Sequence, residues 1–574
     1  MSRRLLVALI VLCGCTERVR LGGADASLLP GLVSLQVAPA TTALAITDLS
    51  QPTQTIAYAA IGTFADGTSR DVTPLVTWSV DNPAPGAFAM PGVYRTSNAA
   101  AGRVTVIATS AQIAATATLT VAVTLAIVDA VFPPPDGAPP LFDSGLSVIT
   151  ADPMRSPAIV YPANDTMFPQ GLAHILFQYK AGTANDAFRI ALDSDLLHVV
   201  VLTGSNRWQP DEDLWRLVER SSGGTTVAVA VEALASAMPT AIYASPQVQL
   251  AFATAEPDGA IAFFSASTNG VMRGVLGATS TSKLFPPAAD TTCVGCHAIS
   301  RSGTAMAMGY GGPTLETVSL PTLTTQIPAM PKLPMGWAAW SPSGDRLLVA
   351  SRGILALYDA TGHPVGAGIP LPGGVLATHP DWSPDGRTVV LALATSIDPM
   401  ELDVKGGSIA TISYAADVWG APTILVASTA TNDNNYYPRW SPDGSRIAYV
   451  HAASGSHNAQ TAELRLIAAA GGTPIPLRVA SHRVGATDDV PNLADAMPTW
   501  VVVPGPIQWL AFATTRPYGL IRPMVGPNQI WLAGIDTTRE DGADPSYAAF
   551  WLPCQDITVV NNTPVWAPTV ITTD

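Results

Sequence analysis

Trp340-Ser341-Pro342-Ser343-Gly344-Asp345-Arg346 recurs as Trp382-Ser383-Pro384-Asp385-Gly386-Arg387, and again as Trp440-Ser441-Pro442-Asp443-Gly444-Ser445-Arg446. Each copy runs into an apolar stretch, at 347–350, 388–391 and 447–450. In Ser-Pro-Asp-Gly the proline presets φ, the aspartate bonds its own backbone and the glycine takes φ > 0, so each copy writes a tight turn ahead of a strand. Weaker copies are Ile299-Ser300-Arg301-Ser302-Gly303, Pro498-Thr499-Trp500 and Pro564-Val565-Trp566. The six starts lie at 299, 340, 382, 440, 500 and 566, separated by 41, 42, 58, 60 and 66 residues. The first two spacings fit one four-stranded propeller blade, and the others fit a blade with loop insertions. Six blades are expected over residues 246–574, with a seventh left open. Only eight residues follow Trp566. The outer strands of its blade are expected from upstream, at 248–253, 260–265 and 270–276, a closure that removes exposed sheet edges.

These Ser-Pro-Asp-Gly repeats resemble those of TolB-like (WD40/PD40-type) β-propellers, in which each copy begins a blade. The resemblance covers roughly residues 246–574 and implies a fold, because propellers carry unrelated functions.

Upstream of the propeller, residues 153–245 alternate apolar and polar positions in Ile175-Leu176-Phe177-Gln178-Tyr179, in His198-Val199-Val200-Val201-Leu202 and along 226–231. This is the pattern of a second sandwich, similar to a fibronectin III-like domain. Asp211, Glu212 and Asp213 between Trp208 and Trp215 read as a solvated loop beside two core tryptophans. Residues 125–152, with Phe132-Pro133-Pro134-Pro135-Asp136-Gly137-Ala138-Pro139-Pro140, read as a stiff linker. Residues 33–124 contain Ala60-Ile61-Gly62-Thr63-Phe64, Asp66-Gly67-Thr68 and Asp71-Val72-Thr73, then Val76-Thr77-Trp78-Ser79. They resemble the bacterial Ig-like type 2 module, a spacer or adhesive unit. The uncharged run 104–128 is long enough to span a bilayer, but threonines alternate with Ala, Leu and Val there, which marks a strand. The expected fold is all-β: an Ig-like β-sandwich, a second Ig/fibronectin III-like sandwich and a β-propeller.

The N-terminus sets an expected compartment. Arg3 and Arg4 precede an apolar run of eight residues, 5–12, far too short for a membrane span and suited to a secretory signal. Leu12-Cys13-Gly14-Cys15 resembles a lipobox. That resemblance implies a signal peptide over 1–14, an acylated Cys15 as the mature N-terminus and a tether over 15–32; Thr16 favours the outer membrane.

The chain has 574 residues, 48% of them apolar and 13% charged, with a mean hydropathy of +0.28. Intrinsic disorder is excluded. Lys and Arg number 29 against 43 Asp and Glu, for a net charge of −14 without a basic cluster, which argues against nucleic acid as a partner. The 47 glycines and 50 prolines favour short strands and turns.

The chemistry concentrates in Cys293-Val294-Gly295-Cys296-His297, the C-x-x-C-H attachment signature of c-type haem. The two thiols would carry the macrocycle and His297 would be the proximal iron ligand. A structural disulfide is the chief competitor in an oxidising compartment. A thioredoxin-like site lacks its βαβ context, and a zinc site lacks a second ligand pair. Cys554 reads as a buried small hydrophobe. Counting three residues back from each blade start gives Cys296, Trp337, His379, Tyr437, Met497 and Thr563, which should ring the propeller axis. His379 or Met497 is the candidate distal ligand, with Met335 nearby; Met306 and Met308 read as blade core. His363, His451, His457 and His482 read as surface or loop residues. No G-x-S-x-G, H-E-x-x-H or P-loop motif occurs. The expectation is a lipid-anchored envelope protein carrying one haem c for electron transfer. The alternative is a non-catalytic scaffold that binds protein or polysaccharide; an open sixth iron position would favour a haem oxidoreductase. No redox partner can be read.

Overall fold

The computed structural model describes residues 29–285, 292–329, 333–482, 494–501, 505–521, 528–539 and 542–568. The signal segment and Cys15 lie outside them. The fold is all-β, and no described helix is long and apolar enough to cross a membrane. The chain divides into two compact units, one running to Ala126 with Asp195–Val199, the other Ile127–Ser194 with Val200–Asp574.

The first unit is built from short antiparallel ladders around an aromatic cluster. Leu32–Ala38 pairs with Ala59–Phe64, which pairs with Ser69–Asp71; Thr77–Val80, Gly102–Ser110 and Ile113–Val128 form a second ladder. Tyr58, Trp78, Phe88 and Tyr94 are buried together, with Trp78 and Phe88 ring centroids 5.0 Å apart. The uncharged run is two paired strands whose side chains alternate between core and surface, as strand periodicity requires.

In the second unit, Ala187–Asp193, Thr226–Leu234, Ile242–Ala244 and Val248–Phe252 share a sheet. Val248–Phe252 is thus not an outer strand of the closing blade. It pairs antiparallel with 226–229 on one side and parallel with Thr166–Phe168 on the other, so both its edges are satisfied there. The acidic stretch is also not a loop. Asp211 accepts a hydrogen bond from the Leu214 amide at 2.8 Å and caps an α-helix, Glu212–Ser222. Leu214, Trp215, Leu217 and Val218 form its buried face, while Glu212 and Asp213 sit in the first turn, where the helix dipole favours acids. Part of the proline-rich segment packs as well: Ala138 and Phe142 are buried against Ala187, Leu234 and Ile242. This β-domain is continuous with the propeller. The Tyr161 ring lies 6.0 Å from that of Trp531, its hydroxyl accepts from the Trp551 amide at 3.2 Å, and Gln178 Oε1 accepts from the Leu520 amide at 2.9 Å.

Among the described residues the propeller has six blades. Their innermost strands, in chain order, are Val294–Ile299, Trp337–Trp340, Leu376–Trp382, Asn434–Trp440, Ala496–Val501 and Asn561–Ala567. The last closes the ring as expected, pairing with Ala260–Ser265, which pairs with Gly270–Gly274, which pairs with Ser282–Phe285. The Ser-Pro-Asp-Gly turns form as their chemistry dictates. Gly344, Gly386 and Gly444 sit at φ of 74°, 71° and 72°. The degenerate Ser300-Arg301-Ser302-Gly303 adopts the same turn, with Gly303 at φ 71° donating to the Ser300 carbonyl at 2.8 Å.

Candidate functional site

Five of the six innermost strands share a distortion that positions the site. In the first blade the ladder skips: Gly295 pairs with Gly309 and Ala298 with Ala307, so Cys296 and His297 together face one residue. This is a β-bulge. The same skip occurs at His379-Pro380, Tyr437-Pro438, Met497-Pro498 and Thr563-Pro564. In every case the first bulge residue has positive φ: Cys296 43°, His379 54°, Tyr437 53°, Met497 53° and Thr563 52°. For residues with a Cβ that conformation costs about 1–2 kcal/mol each, so the surrounding sheet must hold it. Trp337 in the second blade is the ring position without the bulge.

The second bulge residue is proline in four blades and His297 in the first. Proline suits a bulge because it has no ladder hydrogen to give. His297 therefore departs from the repeat at the position where C-x-x-C-H overlaps it.

Ring residues occupy the axis. His379 packs between Trp337 and Tyr437, with centroids 4.9 and 4.1 Å away. Its Nε2 meets the Glu401 carbonyl at 2.8 Å, and its Nδ1 accepts from the Tyr437 amide at 3.4 Å. Burial pulls its pKa down to about 3. Met497 is buried, and its sulfur accepts from Thr563 Oγ1 at 3.3 Å. Both candidate distal ligands are thus engaged with neighbours. A turn at 398–403 lies against this ring: the Glu401 carbonyl also accepts from Trp337 Nε1 at 2.9 Å, and the Leu402 carbonyl accepts from the Tyr437 hydroxyl at 3.1 Å. His457, expected at the surface, is buried here with Nδ1 3.1 Å from the Tyr437 hydroxyl.

Cys293 is exposed, and Cys296 is a part-buried free thiol packed against the core between the first and second blades, where Met335 and Trp340 lie. Burial, reinforced by the Glu401 and Asp398 carboxylates, pushes Cys296 up to about 12. Such a sulfur stays neutral, which suits a thioether and disfavours a thiolate metal ligand or nucleophile. Cys554 is buried too, and desolvation raises it to about 12. Met306 and Met308 lie in the core between the first and closing blades.

His297 is 2% exposed, and its ring nitrogens make no well-formed hydrogen bond, the Ala262 backbone being the one polar group that acts on them at close range. Burial, with the Arg439 charge adding to it, pulls its pKa down to about 4, so the imidazole is neutral at physiological pH. A neutral, buried imidazole with at most one weak backbone partner is costly to keep and chemically ready to coordinate a metal. This ring and the two free thiols fit a covalently held haem by donor chemistry. Cys296 leans toward the second blade and His297 toward Ala262 of the closing blade, so the strand does not gather thiol and imidazole around one void. Among the described residues no three His, Cys, Asp or Glu side chains form a metal-binding group.

His297 borders a cavity of about 370 Å³ at the mouth of the channel. The position two residues after each ring residue reaches it from all six blades: Ala298, Ala339, Asp381, Arg439, Thr499 and Val565. Trp340, Trp440, Trp500 and Trp566 form its walls. The repeat tryptophan also braces neighbouring blades: Trp382 Nε1 donates to the Ala339 carbonyl at 3.2 Å and Trp500 Nε1 to the Arg439 carbonyl at 3.3 Å. Sequence reasoning located the ring but missed this cavity and its arginines. The available signal was the X-Pro-X-Trp pattern, which puts Asp381 and Arg439 in register with each other.

A scan against protein-family models and a search of curated proteins both return no match. Among solved structures, TolB from Acinetobacter baumannii is 14% identical, with a TM-score of 0.34 over 61% of this chain and 80% of that one. The putative TolB from Agrobacterium tumefaciens is 14% identical, with a TM-score of 0.31 over 52% of this chain and 89% of that one. Hydrazine synthase from Kuenenia stuttgartiensis is 15% identical, with a TM-score of 0.25 over 42% of this chain and 62% of that one.

Proposed function

We propose that this is a cell-envelope lipoprotein, anchored through Cys15, whose propeller carries one covalent haem c for electron transfer. Cys293 and Cys296 would form the thioethers and His297 would supply the proximal nitrogen. When bound, the group supplies a one-electron iron couple. The observation carrying this reading is the buried imidazole of His297, with neither nitrogen in a well-formed hydrogen bond, at the position where four sister blades have proline. The chain's own contribution is to exclude water from that ring, to keep it unprotonated through burial, and to hold Cys296 as a neutral sulfur. His379 and Met497 remain the candidates for the sixth position, and either would first have to release its present hydrogen bond.

Mass spectrometry of full-length protein made with haem-maturation machinery tests the reading. The peptide containing residues 293–297 should carry the added mass of haem, and Cys293→Ala or Cys296→Ala should abolish two-point attachment. An unmodified wild-type peptide would sink the cytochrome assignment and leave the scaffold reading.

A further inference from the structure

The charges at the channel mouth are unbalanced. Arg301 and Arg439 both line the cavity, and among the described residues Asp381 is the one carboxylate in its lining. Arg439 is part-buried, and among the described residues its guanidinium makes one hydrogen bond, to the Pro380 carbonyl at 3.1 Å. The Asp381 carboxylate acts on Arg439 through its charge without a direct hydrogen bond to it; its Oδ2 accepts from the Trp440 amide at 2.8 Å. Arg301 is held by the Trp382 carbonyl at 2.9 Å. A guanidinium presents five donors in a planar fork, so each arginine keeps most of its donors for another partner. Burial lowers the Arg439 pKa, but an arginine stays charged at neutral pH. Two cations in a recess walled by indoles, with one carboxylate already bonded elsewhere, leave a site whose missing partner is an anion. The planar tryptophan walls favour an anion attached to a flat apolar body.

We infer that the channel mouth is a carboxylate-binding site in which Arg439 and Arg301 hold the anion and the tryptophan walls hold the body that carries it. Two carriers share this chemistry: a free aromatic carboxylate and the propionate of a haem attached at Cys293 and Cys296. The second carrier rests on the function proposed above; the first does not.

Calorimetric titration of the full-length chain with benzoate, and with benzamide as its neutral analogue, reads the site. Unloaded wild-type protein should bind benzoate saturably and benzamide at least about tenfold more weakly. Arg439→Gln and Arg301→Gln should each weaken benzoate by about tenfold or more, the scale of losing a charged hydrogen bond. Arg301 is exposed, so its variant keeps the test alive if Arg439→Gln folds poorly. Haem-loaded protein then separates the carriers. Loss of benzoate binding on loading assigns the carboxylate to the propionate, and retention assigns it to a free ligand. Equal binding of benzoate and benzamide, or wild-type benzoate affinity in both variants, overturns the inference. Failure of the haem reading appears separately, as the missing mass on the 293–297 peptide.

Discussion

The innermost strands of the first and third blades perform the same task with different residues. In the third, His379-Pro380-Asp381-Trp382 places a hydrogen-bonded histidine on the axis, a proline in the bulge and a fully buried tryptophan against the next blade. In the first, Cys296-His297-Ala298-Ile299 keeps the bulge and the positive φ but replaces the proline with histidine and the tryptophan with isoleucine. The backbone geometry is common property of the repeat, so its cost is shared by five blades. The histidine is not required by that geometry. A residue that leaves the repeat consensus and gains an unsatisfied buried group there is a mark of function rather than of packing.

The largest disruption to this comparison removes the ring that holds both strands. Ending the chain at Val560 deletes Asn561–Ala567 and exposes the edge of Ala260–Ser265. The propeller should then aggregate or lose its cooperative thermal transition, read by scanning calorimetry. A truncated chain with the wild-type midpoint and solubility would overturn the closure.

Next in size is the brace. Trp382→Ala removes a side chain 1% exposed together with its bond to Ala339 and should cost about 3–5 kcal/mol in denaturant unfolding. Ile299→Ala, at the equivalent position on a partly buried side chain, should cost less, about 2 kcal/mol. Equal losses would mean that the tryptophan is not the brace.

The smallest stability effect is the most informative. His297→Pro restores the repeat and should leave the midpoint unchanged or raise stability by up to about 1 kcal/mol, while removing the proximal nitrogen. The same variant tests the pH dependence. Burial lowers the folded pKa of His297 from 6.5 to about 4, so its contribution is present above pH 6.5 and is lost as pH falls toward 4. Wild-type stability should therefore drop across that window by up to about 3 kcal/mol from this group, and His297→Pro should drop less. Parallel pH profiles would show that His297 is not buried as a neutral base.

Much of this architecture was legible because it is local. Ser-Pro-Asp-Gly specifies its turn within four residues, and three full copies with three weaker ones at blade spacing predict the number of blades and a closing blade with borrowed strands. The ring residues followed from counting alone. The strand at 248–252 was misassigned because apolar alternation marks a strand without naming its partner. The helix at 212–222 was readable in Asp211 and the spacing of Leu214, Leu217 and Val218, but its acidic first turn resembles a loop.

By itself, the sequence determined the turns, the repeat, the closing topology and the overlap of C-x-x-C-H with a ring position, all of which depend on short-range backbone preferences. The tertiary structure decided the rest. The positive-φ bulges recur in five blades at Cys296, His379, Tyr437, Met497 and Thr563, residue types that do not announce that conformation as glycine would. The burial of the His297 ring depends on which blades surround it. The gathering of Arg301, Asp381 and Arg439 at one mouth depends on how the blades pack around a common centre, since these residues come from the first, third and fourth blades.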